Sequence, residues 1–589
     1  MPDTVHSSAP AAARRFRRRL LAAYVLCVVF CAGCSSSHYR KAADKESYNI
    51  IQQAQKEIFG HTNAFTIDTP YSSRDPKLIT PSELVDDRLR TNQRVLTIEG
   101  ALELAATSSR RYQAEKEKLF LFALTLTGAR YDLGPKFFGS SSGSLARESN
   151  GERSGAANFS AGVSRTFRTG GTLGLNIAND LFQYYTGNPR RSVISSVSAN
   201  LSQPLLRGFG KNSPAVETLT QSERDVVYAV RNFAYFQDQF ALEIVNDYFN
   251  LLAQKDVIRN RYTNFLSRVQ ATVRLDRRSK DRERLLDVDQ ARQAELTARI
   301  NYVNALASYK NSLDQFKIKL GLSLGEAIHV EDRPLEEAAK NGLVDAQLDV
   351  QAAYKLAVAR HTQILNAIDK YEDLQRKVRV FKDRLKPGLT VSGDVSLDSD
   401  GPTDYTKFDP NKVRAGAGVK LDLPFDRLKE RNSYRSALIS FEAELRNLTL
   451  TLDSLHDDIE RGLRTLEQRR QNYEIQKVAL DLANRRVRST ALLQQAGRAE
   501  VRDLVDAQDS QIAAQNAVTS ALVSHQEARL QLMLDIGALK TDAPKFWLRD
   551  HLTDFAQGST SAGGSAAAAL VAPRAESEQV VPPDTFFQR

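Results

Sequence analysis

The sequence predicts a mixed α/β membrane protein, mainly long α-helical coiled coils, with strands that contribute to a transmembrane β-barrel and a plan that is internally duplicated. Three observations predict it. The 589 residues include only 30 glycines and 18 prolines, few breakers for so long a chain. Segments rich in Gly, Ser, Thr and Asn interrupt the helical pattern and alternate apolar and polar residues with period two. The order helix, strands, long helix, short helix then occurs a second time. With 42% hydrophobic and 26% charged residues, wholesale disorder is excluded. The three cysteines, Cys27, Cys31 and Cys34, crowd the N-terminus, so no disulfide framework or cysteine-based metal site lies downstream.

Residues 1–33 read as a secretory signal: Arg14, Arg15, Arg17, Arg18 and Arg19 form a basic run, residues 20–30 are apolar, and small residues precede a cut site. Cys31-Ala32-Gly33-Cys34 resembles the lipobox of bacterial lipoproteins, with Cys31 where that family usually has Leu. The resemblance implies cleavage before Cys34 and acylation of its thiol and new amine. With Ser35 rather than Asp following, it also implies sorting to the outer membrane. Loss of the signal removes five arginines and Asp3 and lowers the formal charge from +10 to +6. So mild an excess gives no reason to expect nucleic-acid binding. No later apolar run is long enough for a transmembrane helix, so any membrane crossing falls to strands.

Residues 34–95, punctuated by Pro70, Pro76 and Pro81, read as a lipidated tether with little regular structure. The first repeat spans 96–345. Thr97 is a plausible N-cap for a helix that continues to about Ala129. Alternating segments fill 137–203: Phe159, Ala161, Val163 and Phe167 oppose Ser160, Gly162, Ser164 and Thr166, while Val197, Ala199 and Leu201 oppose Ser196, Ser198 and Asn200. After Pro204 a long helix is expected over 214–278, about 100 Å at 1.5 Å per residue. A shorter one, 282–321, ends at Gly321. The second repeat, 346–540, runs the same programme, with a helix from Leu348, strands over 389–423 closed by Pro424, a long helix over 427–495 and a short one over 499–537. Residues 541–589 read as a low-complexity tail.

Helices this long, each with an apolar face and no globular domain to bury it, must pack side by side. Strands of about ten residues with one apolar face suit a membrane wall, and only a closed barrel satisfies their backbone in lipid. At this point the chain resembles the TolC family of outer-membrane efflux and secretion channels, over roughly 96–539. The resemblance rests on Leu96-Thr97-Ile98-Glu99-Gly100-Ala101-Leu102, on Ser202-Gln203-Pro204-Leu205-Leu206-Arg207-Gly208-Phe209-Gly210, on Leu423-Pro424 leading to Arg431-Asn432, and on Gly497-Arg498 followed by Val501, Asp503, Leu504, Val505, Asp506, Ala507 and Gln508. It implies a passive exit duct: a homotrimer with a β-barrel in outer-membrane lipid and a periplasmic α-barrel. The duct would dock to a periplasmic adaptor (membrane-fusion) protein and, through it, to an inner-membrane pump. By family analogy the first repeat gives wall strands near 137–144 and 193–203, which leaves 158–167 and 171–181 as an extra hairpin, expected at an extracellular or barrel-rim position; if it joins the wall instead, three copies give eighteen strands and a wider mouth. Four strands per copy cannot enclose a pore, whereas three copies give twelve. The alternative is a periplasmic adaptor or coiled-coil scaffold, which would carry one helical hairpin between soluble β-domains.

The resemblance also maps an adaptor-facing tip onto Gly497, Arg498, Val501 and Leu504, with Asp281, Arg282, Leu285 and Val288 as second copies. Gly497 reads equally as a plain helix C-cap. Arg485, Arg486 and Arg488 are candidates for lining a pore tip and read as well as a solvated outer face. Asp453, His456 and Asp457 share a helix face, yet no second His or Cys stands near, so no metal or other cofactor is expected. No phosphate loop, nucleophile motif or other catalytic constellation is evident, and the chain reads as a non-enzyme. One outcome is testable from the sequence alone: mass spectrometry of the mature chain is expected to find Cys34 at its N-terminus carrying acyl chains, and an unacylated mature chain would contradict it.

Overall fold

The computed structural model describes residues 36–147, 149, 151–186, 191–279, 285–343, 348–400 and 406–549. The signal, Cys34, Asp281, Arg282 and everything after 549 lie outside these residues. In chain order the helices and strands are α1 (Ser36–Phe59), α2 (Pro81–Leu89), β1 (Gln93–Leu96), α3 (Ile98–Ser108) and α4 (Arg110–Asp132). Four strands follow: β2 (Pro135–Arg147), β3 (Arg153–Thr166), β4 (Thr172–Thr186) and β5 (Arg191–Pro204). Then come α5 (Pro214–Ser279), α6 (Leu285–Leu320), β6 (Ala327–Val330), α7 (Arg333–Asn341), α8 (Val350–Arg360) and α9 (Thr362–Asp383). The chain continues with β7 (Gly388–Asp398), β8 (Arg414–Asp422), α10 (Leu428–Gln495) and α11 (Val501–Asp535). Helix lengths recur in order: 11, 23, 66 and 36 residues for α3 to α6, then 11, 22, 68 and 35 for α8 to α11.

The chain divides into two units. One gathers the stretch up to Ile67, Lys118–Val230 and Pro387–Leu423. It holds a six-stranded antiparallel sheet in the order β2-β3-β4-β5-β7-β8. This corrects the setting-apart of the extra hairpin from its neighbouring strands: β3 and β4 pair inside the sheet, between β2 and β5. The tether is corrected too, because α1 buries Ile50, Ile51 and Ala54, and Tyr48 sets its ring edge-on to Phe65 and Phe120.

The other unit gathers Asp68–Glu117, Arg231–Lys386 and the chain from Pro424 onward. Its core is aromatic: Tyr112 packs on Phe233, Phe236 and Phe240, spaced along one face of α5. A two-stranded parallel ribbon, β1 with β6, is pinned by the Tyr248 hydroxyl, which donates to the Leu96 carbonyl at 2.8 Å and accepts from the Glu331 N–H at 3.0 Å. The buried residues Ile459, Leu466 and Tyr473 recur every seven positions along α10, the seam of a coiled coil. Where Gly462 faces α11, an added Cβ would lie 2.9 Å from Leu532, so the two helices approach closely. The tail begins later than expected. Phe546 and Trp547 are buried, and the fully buried Arg529 donates to the Trp547 and Arg549 carbonyls. Thr541 donates to Asp238, whose carboxyl burial pushes up to about 6.

The helix expected as unbroken from Thr97 to Ala129 is interrupted at Ser109, and its counterpart is interrupted at His361. Both breaks face a left-handed glycine that ends a short helix. At Gly321 (φ +82°) an added Cβ would lie 2.0 Å from the Ser108 carbonyl, and at Gly537 (φ +67°) 3.1 Å from the His361 nitrogen. Gly497 is left-handed as well, with open space around it. Gly321→Ala is therefore expected to destabilise the fold by about 2–3 kcal/mol, strain plus a backbone collision, whereas Gly497→Ala costs about 1 kcal/mol of strain alone. Thermal unfolding of the two variants in detergent, followed by circular dichroism, checks the order, and equal losses would contradict it.

Candidate functional site

Two surfaces carry the chemistry, one in each unit. On the sheet, directly paired residues share a face, and the register places odd-numbered residues together across all six strands. One row runs Phe137, Val163, Leu175, Ala199, Val395, Ala415, and the next runs Gly139, Ala161, Ile177, Val197, Leu397. The opposite face carries Ser140, Ser160, Ala178, Ser196 and Asp398 in one row and Lys136, Ser164, Gly174, Asn200, Asp394 and Gly416 in another. Among the aliphatic residues, Leu175, Ile177, Val197, Leu201, Val395, Val419 and Leu421 are 41–72% exposed. A continuous apolar sheet face of this kind, set against a hydroxyl- and amide-rich one, is costly in water and suited to lipid.

The sheet's polar detail is local. Ser140 and Ser160 hydroxyls meet at 2.7 Å across β2 and β3, and Asn179, a polar interruption in the apolar face, donates to the Ser195 hydroxyl at 2.8 Å. Gly162 leaves the space that the Phe138 ring fills: an added Cβ would lie 2.6 Å from that ring. Pro204 is the last residue of β5, paired with Thr390 on β7, and Arg207 closes the strand-to-helix passage by an ion pair to Asp422 at 2.7 Å. Pro424 stands two residues past β8, and its carbonyl accepts from Arg427. The two edge strands, β2 and β8, are exposed almost throughout.

In the helical unit the turn between α10 and α11 is built by local rules. The Gly497 N–H donates to the Gln494 carbonyl and the Arg498 N–H to the Leu493 carbonyl, with Gly497 left-handed at φ +71°. Gly497 is thus a helix cap as well as the turn, the two readings open in the sequence. Glu500 then caps α11, and the Asp503 carboxylate accepts from its N–H at 3.0 Å. Gly497 and Arg498 are exposed and Leu504 is half-buried. Val501 and Val288 lie inside the chain: with Leu275 and Ala291 they form one buried cluster, against which Val505 packs. Their side chains pack the two helical hairpins against each other. Leu285 opens α6, while Asp281 and Arg282 fall outside the described residues.

Above this cluster sits a residue that the sequence did not single out. Arg268 on α5 is buried and donates to the Val505 carbonyl and to Asp509, both at 2.9 Å on α11, and to Asn264 at 3.1 Å. Burial lowers its pKa, and Asp509 acts in the opposite direction. Nothing in the local sequence marks Arg268, because its burial depends on α11 arriving from more than two hundred residues away. Arg486 and Arg488 are exposed, Arg485 pairs with Asp481, and neighbouring Asn484 accepts from Gln511 on α11. His456 pairs with Glu460 and sets its ring against Tyr354, and Asp457 pairs with Arg461, so these residues serve the helix surface. Among the described residues no helix is long and apolar enough to cross a membrane.

No protein-family model matches the sequence, and no curated protein matches it. Solved structures do. CusC, described for the conformational changes that accompany folding and transmembrane channel formation, matches with a TM-score of 0.57 over 81% of this chain and 97% of its own, at 13% identity. The CmeC outer-membrane channel of Campylobacter jejuni matches with 0.56 over 78% and 89%, at 15% identity. The MtrE outer-membrane channel of Neisseria gonorrhoeae matches with 0.55 over 75% and 88%, at 14% identity. At such identities the shared property is the fold, and the chain has the TolC-type fold of these outer-membrane channels.

Proposed function

We propose that this chain is the outer-membrane channel subunit of a tripartite efflux pump or type I secretion system, a passive trimeric exit duct. The observation that carries the reading is the exposed, predominantly apolar face kept in register across six strands. In lipid that face is solvated and the sheet edges must be paired, which calls for copies of the chain closing a barrel. The helices make the same demand. On α6, Leu296, Ile300 and Val303 are exposed at helical spacing, and on α10 Ile475, Val478 and Leu482 are exposed likewise. Each is a seam for a neighbouring helix, and neighbouring copies would supply it. The recurrent helix lengths support an internal duplication, so three copies give the helical part six-fold pseudo-symmetry.

In this reading the lipid on Cys34 anchors the chain to the outer membrane, and the α10–α11 turn with its counterpart at 280–284 faces the adaptor and pump. Gly497, Arg498 and Leu504 would make the contact, with Val288 and Val501 supporting them from beneath. A periplasmic adaptor is the poorer fit, because two helical hairpins alternate along the sequence with amphipathic strands and, among the described residues, the six-stranded sheet is joined only by the short β1–β6 ribbon.

Native mass spectrometry of the protein in detergent is expected to give three copies, and a stable folded monomer would contradict the closed barrel. At the tip, Gly497→Trp should leave the trimer intact while weakening adaptor binding about tenfold, whereas Gly497→Asn, which tolerates left-handed φ, should retain it. Adaptor cross-linking unchanged by the Trp substitution would place the docking surface elsewhere.

A further inference from the structure

We propose that the β3–β4 hairpin is part of the membrane wall, so that each copy contributes six strands and the trimer closes an eighteen-stranded barrel instead of a twelve-stranded one. This rests on the channel reading above and adds to it the size of the mouth. Three observations carry it. First, β2 pairs with β3 from Pro135 to Arg147 and β4 with β5 from Thr172 to Gln183, so β2 and β5 do not touch as ladder partners. Expelling the hairpin would require breaking both ladders and re-pairing β2 with β5. Second, both apolar rows pass through the hairpin without a break: Val163 and Leu175 continue one, Ala161 and Ile177 the other. A hairpin in water would instead present Leu173, Leu175, Ile177 and Leu181 to solvent with no compensation. Third, β3 and β4, at 14 and 15 residues, exceed the nine to eleven or so that a tilted strand needs to span the hydrocarbon.

The edges are consistent with closure by copies of the same chain. Six is even, and every pair in the sheet is antiparallel, so β8 of one copy meets β2 of the next antiparallel as well. Those two strands are the exposed ones, and both put odd-numbered residues, Phe137 and Gly139 or Val419 and Leu421, on the apolar side. At about 4.8 Å between strands tilted by about 40°, eighteen strands give a backbone diameter of about 36 Å, against about 24 Å for twelve. The inner face of so wide a mouth carries Ser, Asn and charges of both signs, including Asp394, Asp398, Arg414 and Lys420. It would sort cargo weakly, which leaves selection to the helical end.

The test uses single-cysteine variants of the full-length protein, labelled with bimane and reconstituted in phosphatidylcholine–phosphatidylglycerol vesicles with brominated acyl chains. Val163→Cys and Ile177→Cys, in the hairpin, are expected to lose fluorescence to within about twofold of Val197→Cys and Val395→Cys, while Ala178→Cys on the opposite face stays near its value in unbrominated lipid. Quenching at 197 and 395 with none at 163 and 177 overturns the eighteen-stranded wall and leaves the channel reading standing. No quenching at any of the four overturns both. Where labelling disturbs insertion, intrachain disulfides answer the same question in native membranes. Cysteines at 139 and 161 are expected to cross-link and cysteines at 139 and 197 are not, and the reverse pattern means that β2 has re-paired with β5.

Discussion

A backbone N–H or C=O in hydrocarbon has no water to bond, and leaving it unpaired costs several kcal/mol. In the proposed channel that single constraint organises the sheet. The sheet satisfies it internally for four of its strands, each with a neighbour on both sides, and leaves β2 and β8 as open edges. An edge of this kind is tolerable only when another strand covers it. Because the covered faces must also match, the demand extends from hydrogen bonds to register: odd-numbered residues share one face across the strands, and a one-residue slip would turn Leu175 or Val395 to the polar face and Ser198 or Asp394 to the apolar one.

The helical unit answers a softer version of the same demand. Water satisfies exposed carbonyls there, so the driving term is apolar burial, and it is only partly met within one chain. The heptad Ile459, Leu466 and Tyr473 finds its partner, the Tyr112 cluster is closed, and Leu275, Val288, Ala291 and Val501 join the two hairpins near their turn. Arg268 reinforces that junction by a buried donor set aimed at Val505 and Asp509. Removing one side of such an arrangement leaves a buried charge unpaired, which is why it holds the hairpins in one relation. The outward seams on α6 and α10 are left unpaired within one copy. In the proposed channel, barrel edge and helix seam would be two consequences of one chain carrying a fraction of a closed wall.

Much of this was legible in the sequence because it is local. Thr97 and Asp349 cap corresponding helices through their own side chains, Gly497 ends α10 by its left-handed φ, and strand alternation needs no partner to be seen. The glycines at 321 and 537, spaced like Ala291 and Ala507, could have signalled the two helix breaks, yet what they press against is hundreds of residues away. Several of the differences were of that non-local kind. Analogy put β3 and β4 at a rim, but strand order is decided by which ladder forms, and nothing within 158–181 states its neighbours. The packing of Val288 against Val501 was not legible either, because apolar positions near a turn read alike whether they face a partner or the adjacent hairpin. Trp547 and Arg529 were hidden by the low-complexity sequence that follows them.

The central claim is that copies of this chain close a β-wall at the level of the bilayer and continue it as a helical duct. A three-dimensional reconstruction of the full-length protein in lipid nanodiscs by electron cryo-microscopy tests it most directly. The account predicts three-fold symmetry, a closed barrel whose outer surface is the row set of Leu175, Val197 and Val395, and α5, α6, α10 and α11 of neighbouring copies packed side by side. A map with the six-stranded sheet open at β2 and β8, or with that apolar face turned away from the lipid, would contradict it.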